Sequence, residues 1–101
     1  MEKKKAHYSL SEIQRVVEAR GVNAFTATAL TGAAALGLSN AQAVAVVLKL
    51  KQENLHKSMT THKDHTIWRD VYLATLQTGL VAYIKVTLRE NGTVVIQFKE
   101  K

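Results

Sequence analysis

The stretch Tyr83-Ile-Lys-Val-Thr-Leu-Arg-Glu-Asn-Gly-Thr-Val-Val-Ile-Gln-Phe-Lys99 decides the fold. Two alternating runs flank Asn91-Gly92, the pattern of paired strands joined by a tight turn. A two-residue loop sets Ile84, Val86 and Leu88 against Lys99, Gln97 and Val95 and mixes the faces. A three-residue loop, Glu90-Asn91-Gly92 with Gly92 left-handed, instead pairs Leu88 with Val94, Val86 with Ile96 and Ile84 with Phe98. One face becomes wholly apolar, as in an antiparallel sheet packed on one side. The other face aligns Thr87 with Val95, Lys85 with Gln97 and Tyr83 with Lys99, which by itself describes an ordinary solvated surface.

Upstream, the run from Leu55 to Tyr72 concentrates the chemistry. It holds three of the four histidines, the only tryptophan, and Lys57, Lys63 and Arg69. Cations, titratable rings and stacking surfaces in one segment suit a phosphate-bearing ligand. Extended pieces are predicted over Leu55 to Thr60 and Thr66 to Leu73, around a polar tip His62-Lys63-Asp64-His65. Alternation puts Trp68 and Tyr72 on one face as candidate core and turns Ile67, Arg69 and Val71 the other way. A further turn is predicted at Gln77-Thr78-Gly79.

The first half reads as helical. Ser9 with Glu12 has capping-box spacing, and Leu10, Ile13 and Val17 recur at helical intervals up to Gly21. Val22 to Phe25 allows a brief edge strand. A short second helix is predicted from Thr28 to near Gly37. Ser39 with Gln42 repeats the capping-box spacing, and Ala41 to Leu50 is apolar almost all round, so a third helix is expected to be the most deeply buried. Residues 1 to 8, with Lys3 to Lys5 in mutual repulsion, are read as a frayed or docking lead-in without a catalytic role.

At 101 residues and 47% hydrophobic composition, the chain is expected to form one domain, residues 1–101. Cysteine is absent, which removes disulfides, thiolate nucleophiles and Cys-based zinc sites and fits a reducing, cytoplasmic setting. The longest nearly apolar run is too short to span a bilayer, and the basic N-terminus lacks the apolar core of a signal peptide. The formal charge of +6 is spread evenly, seven basic residues before Lys57 and seven from Lys57 onward. Such a field attracts polyanions, whether RNA, DNA or an acidic protein.

His62-x-x-His65 with Asp64 invites a metal reading, but the pair lies on a predicted loop without an HExxH helix, so no metal site is assigned. No Gly-rich phosphate loop, carboxylate pair or Ser-His-Asp signature is present, and no cofactor is expected. Metal-free RNA cleavage needs less: a group to take the 2′-hydroxyl proton, cations for the phosphorane charge, and an acid for the leaving 5′-oxygen. Lys, Arg, Tyr and His can supply these.

Lys57-Ser-Met-Thr-Thr, then Asp64-His-Thr-Ile-Trp68, Asp70-Val-Tyr72, Tyr83-Ile-Lys-Val-Thr87 and the ending Phe98-Lys-Glu-Lys101 together closely resemble the MqsR (motility quorum-sensing regulator) toxins. Met1-Glu-Lys3, His7 and Leu10-Ser11 extend the likeness, and the helical middle matches loosely. The resemblance implies an α+β fold related to the RelE and YoeB toxins, an antiparallel sheet packed against about three helices. It also implies a sequence-specific, metal-independent mRNA interferase that cuts free mRNA at GCU-like sites and is neutralised by a cognate MqsA-type antitoxin.

Of the family's activity-associated residues, the motif lysine matches Lys57 and the near-terminal lysine matches Lys99. The strand tyrosine matches Tyr83 with one inserted residue. An ungapped match lands on Ala82, which the hairpin register puts on the apolar face with Ile84. Arg69 stands where the best-known member has glutamine, and His56 stands where an aromatic precedes the lysine. The expected catalytic set is therefore Lys57, Arg69, Tyr83, Lys99 and His56, with RNA contacts at Met59, His62, Lys63, Lys85 and Gln97. A noncatalytic nucleic-acid-binding regulator, or a protein-interaction module that receives an acidic segment, would use the same basic surface.

Overall fold

The computed structural model describes residues 1–101. Five antiparallel strands lie in the spatial order of the chain: β1 (Glu2–Lys3), β2 (Leu55–Met59), β3 (Arg69–Thr75), β4 (Val81–Leu88) and β5 (Val94–Glu100). Helices α1 (Leu10–Arg20) and α2 (Ala27–Ala35) lie against one face, and α3 (Asn40–Leu48) packs on them. This is the predicted α+β architecture.

The β4–β5 hairpin forms in the three-residue-loop register. Leu88 pairs with Val94, Val86 with Ile96, Ile84 with Phe98, Lys85 with Gln97 and Tyr83 with Lys99. Gly92 has φ 85°, the left-handed conformation the loop requires. The apolar row Ile84, Val86, Ile96 and Phe98 is buried against the helices with Tyr72, Ile13, Val17 and Val47. Burying such side chains supplies about 1.5–3 kcal/mol each. Helix α2 lies directly on β5, because Gly32 has no side chain: a Cβ there would collide with the carbonyl oxygen of Phe98.

Each helix begins on a hydroxyl cap. Ser9 Oγ accepts from Glu12 N–H, Thr26 Oγ1 from Ala29 N–H, and Ser39 with Gln42 makes both bonds of a capping box at 3.1 and 2.8 Å. Helix α2 therefore starts at Ala27, ahead of the expected Thr28. Residues Gly21–Ala24 form a 3₁₀ turn instead of an edge strand, and Phe25 alone bridges Ile96. Its ring is drawn inward onto Phe98, with centroids 6.2 Å apart.

Helix α3 departs from its expected burial. Only Ala43 and Val47 are buried, whereas α1 buries Leu10, Ile13 and Val17. The reason is that α3 packs on α1 and α2 instead of on the sheet, which leaves Val44, Val46 and Leu48 half-buried.

Of the two expectations for the N-terminal segment, docking is the one that holds. Residues 1 to 8 are not frayed: Glu2 pairs with Met59 and Lys3 with Ser58, which makes β1 an edge strand. The cause is Asp70, fully buried on the helix side of β3. Its carboxylate accepts from Ser58 Oγ at 2.6 Å, from His7 N–H at 3.0 Å and from Tyr8 N–H at 2.9 Å. Tyr8 O–H donates to the Trp68 carbonyl at 2.8 Å. A buried carboxylate demands donors, and the chain entering α1 supplies them. Trp68 consequently lies ahead of β3 and outside the apolar core, stacked on His7 at 5.3 Å with Lys3 Nζ 4.2 Å from its ring centre.

Candidate active site on the outer sheet face

Because paired strand residues share a face, the sheet register builds the outer surface directly. Lys57, Val71, Lys85 and Gln97 form one row across four strands. Leu73, Tyr83 and Lys99 form the next, and Met59 with Arg69 lies on the other side of the first. Seven of the sequence-predicted residues thus share one face: Lys57, Met59, Arg69, Tyr83, Lys85, Gln97 and Lys99. Lys57 and Lys99 are three strand spacings and one row apart, about 16 Å at the backbone.

Val71 is the floor of this face. It is 0% exposed although it points away from the helices and outside the apolar core cluster. Its neighbours on the face are Lys57, Lys85 and Arg69, long side chains whose aliphatic stems suit an apolar floor. Arg69 Nη1 and Gln97 Oε1 are buried on the same face without a hydrogen-bond partner, one donor and one acceptor left open. Lys99 Nζ sits 5.2 Å from the centre of the Tyr83 ring, within cation–π range.

Charge compensation is uneven. Lys57 Nζ is 2.7 Å from Glu2 Oε1. The hydrogen bond to Glu2 holds Lys57 above the ordinary lysine range, with a smaller contribution from Tyr83, and the same bond holds Glu2 below the ordinary carboxylate range. Arg69, Lys85 and Lys99 have no carboxylate within ion-pair distance. Lys85 is pushed down, first by partial burial and then by the neighbouring charges of Lys99 and Arg69. Across the sheet, Tyr72 is pushed up to about 12 by burial and by Asp70, so its phenol keeps its proton.

Three predicted residues stand apart from this cluster. His56 is the extra residue of a bulge in β2, exposed beside Lys57. His62 and Lys63 are exposed in the β2–β3 loop, beyond the Met59–Arg69 end of the face. In that loop, the Asp64 carboxylate accepts from Thr66 Oγ1 at 2.7 Å, the main cause of its lowered pKa. No three His, Asp or Glu side chains form a group able to hold a metal ion.

Sequence reasoning missed Glu2, Asp70 and Val71 as parts of the arrangement. Nothing local marks Glu2. For Val71, the alternation Arg69-x-Val71-x-Leu73 was a usable sign, because an apolar residue between a cation and a half-buried leucine on an outer face requires cover.

Such an arrangement defines a class: small basic α+β proteins whose open sheet face carries several cations over an apolar floor, with one carboxylate among them. The sequence profile of the family described as motility quorum-sensing regulator, toxin of MqsA, matches residues 5–100. The mRNA interferase toxin MqsR of Escherichia coli (strain K12) is 42% identical over 101 residues, covering 100% of both chains. The chain belongs to the MqsR toxin family.

Proposed function

We propose that this protein is the toxin of a toxin–antitoxin pair and a sequence-specific endoribonuclease that cleaves mRNA at GCU-like sites without a metal ion. The observation that carries the reading is the outer sheet face, where Lys57, Arg69 and Lys99 surround Val71 and Tyr83, with open hydrogen-bonding atoms on Arg69 and Gln97. In this mechanism the 2′-hydroxyl attacks the adjacent phosphorus. The products are a 2′,3′-cyclic phosphate and a 5′-hydroxyl.

Lys57, Lys99 and Arg69 stabilise the charge that develops on the phosphorane oxygens, an effect strongest where preorganised donors face partly desolvated charge. Tyr83 or the exposed His56 provides the acid for the leaving oxygen. Met59, Lys85 and Gln97 contact the RNA on the face, and His62 and Lys63 contact it from the loop. The partner that neutralises the protein is an MqsA-type antitoxin.

The test is cleavage of a defined transcript in EDTA, with the ends mapped, by wild type and by Lys57→Ala, Tyr83→Ala and Lys99→Ala. Removing one such group is expected to slow cleavage by about 100-fold or more. Undiminished cutting by all three variants would remove the site, and RNA binding without any product would favour a noncatalytic regulator.

A further inference from the structure

We propose that Lys85, at the centre of the outer face, is the residue that takes the 2′-hydroxyl proton. The inference rests on the ribonuclease reading above and gives that site its base. Every element that meets this face contributes to the surroundings of Lys85. From β3 come Val71, directly opposite, and Arg69 diagonally. From β5 come Gln97, directly opposite, and Lys99 diagonally. Tyr83 and Thr87 flank it on β4, and Lys57 lies beyond Val71 with Glu2 of β1 bound to it.

The one carboxylate in this set is therefore committed to Lys57. Lys85 is left half-buried between two cations that have no carboxylate within ion-pair distance. An ammonium in such a place is disfavoured relative to the free amine, and burial with Lys99 and Arg69 does hold Lys85 below the ordinary lysine range. Lys57 is driven the opposite way by Glu2 and stays an ammonium. The two lysines of one row thus divide the work: Lys57 keeps its charge for the phosphate, and Lys85 is the one able to offer a lone pair.

In the step, the 2′-hydroxyl proton passes to the neutral Lys85 amine and the bond from 2′-oxygen to phosphorus forms. The bond from phosphorus to the 5′-oxygen breaks, and that oxygen takes a proton from the Tyr83 hydroxyl. Water returns the proton from Lys85 to Tyr83 after the products leave.

The experiment compares pH profiles of RNA cleavage for wild type and Lys85→Arg, which keeps the charge and cannot act as a base at accessible pH. The expected result is a fall of about 100-fold or more in kcat, little change in KM, and loss of the rising limb that wild type shows with increasing pH. Lys85→Ala is expected to regain activity with added small alkylamines in proportion to their free-base concentration, a response that a structural lysine does not give. A Lys85→Arg enzyme with wild-type kcat and an unchanged rising limb overturns the assignment, as does failure of amine rescue in a folded Lys85→Ala protein. If Lys57→Ala abolishes cleavage while the Lys85 variants keep the wild-type profile, the ribonuclease reading stands and only the base is wrong. If wild type makes no cut in RNA, both fall together.

Discussion

The two faces of one sheet use the same strands in one register and do opposite things. On the helix side, Tyr72, Ile84, Val86, Ile96 and Phe98 exclude water, and their alternation sets which residues stand opposite one another. On the outer side, that pairing delivers Lys57, Arg69, Tyr83, Lys85 and Lys99 to common ground although they come from four strands. The inner face fixes where the outer side chains go, because slipping a strand by one residue exchanges its two faces. Stability and chemistry are therefore separable by parity along a strand, and neighbouring residues should fail in different ways.

Ile84 and Lys85 make the sharpest test. Ile84→Ala removes a side chain that is 0% exposed, so it is expected to cost about 2–5 kcal/mol in urea unfolding. Lys85→Ala should cost clearly less, about 1 kcal/mol for the cover lost over Val71, while abolishing cleavage. Equal destabilisation by the two variants breaks the division between the faces.

Asp70 is the exception on the inner face, and its replacement measures how far the N-terminal segment depends on one carboxylate. Asp70→Asn puts an amide donor where Ser58 and the backbone N–H groups of His7 and Tyr8 all need an acceptor. The expected loss is about 1–3 kcal/mol, localised first to residues 2–8 and β2 and read as faster amide hydrogen exchange there than in β4 and β5. Uniform loosening of all strands contradicts the role given to Asp70.

The contrast also explains what could be read from the chain. The β4–β5 hairpin was legible to individual pairs, because two alternating runs and a left-handed glycine leave one register with an apolar face. Tyr83, Lys85 and Lys99 followed from it by parity, Lys57 came from the family resemblance, and the Ser9 and Ser39 caps followed from hydroxyl spacing, whereas the Thr26 cap was not read. Strand β1 was not legible. Two residues carry no alternation, and their order is tied to the hydrogen bond that His7 N–H donates to Asp70, 63 residues further along the chain. Trp68 was misplaced for the same reason, since His7 and Lys3 capture its ring. Helix α3 misled in a different way: a helix of alanine and valine all round has no side that declares itself, so composition suggested depth that the packing does not provide.

The smallest effect, and the finest test of the comparison, concerns Glu2, an exposed carboxylate on the charged face. Its folded pKa lies below the ordinary 4.5, so its contribution is complete above that value and is lost as pH falls through the lowered one. Lys57 lies above the ordinary 10.5, so its contribution is complete below that value and is lost as pH rises through the raised one. The ion pair thus persists through the neutral range in which RNA must compete for Lys57. Glu2→Gln should leave neutral-pH stability almost unchanged, because solvent screens the pair. The same variant frees the ammonium for phosphate, so RNA should bind roughly twofold to fivefold more tightly at low salt. The gain should fade as salt screens the phosphate contact. RNA binding that is unchanged in Glu2→Gln, in the same titration where Lys57→Ala weakens it, would mean that Glu2 steadies Lys57 without competing for it.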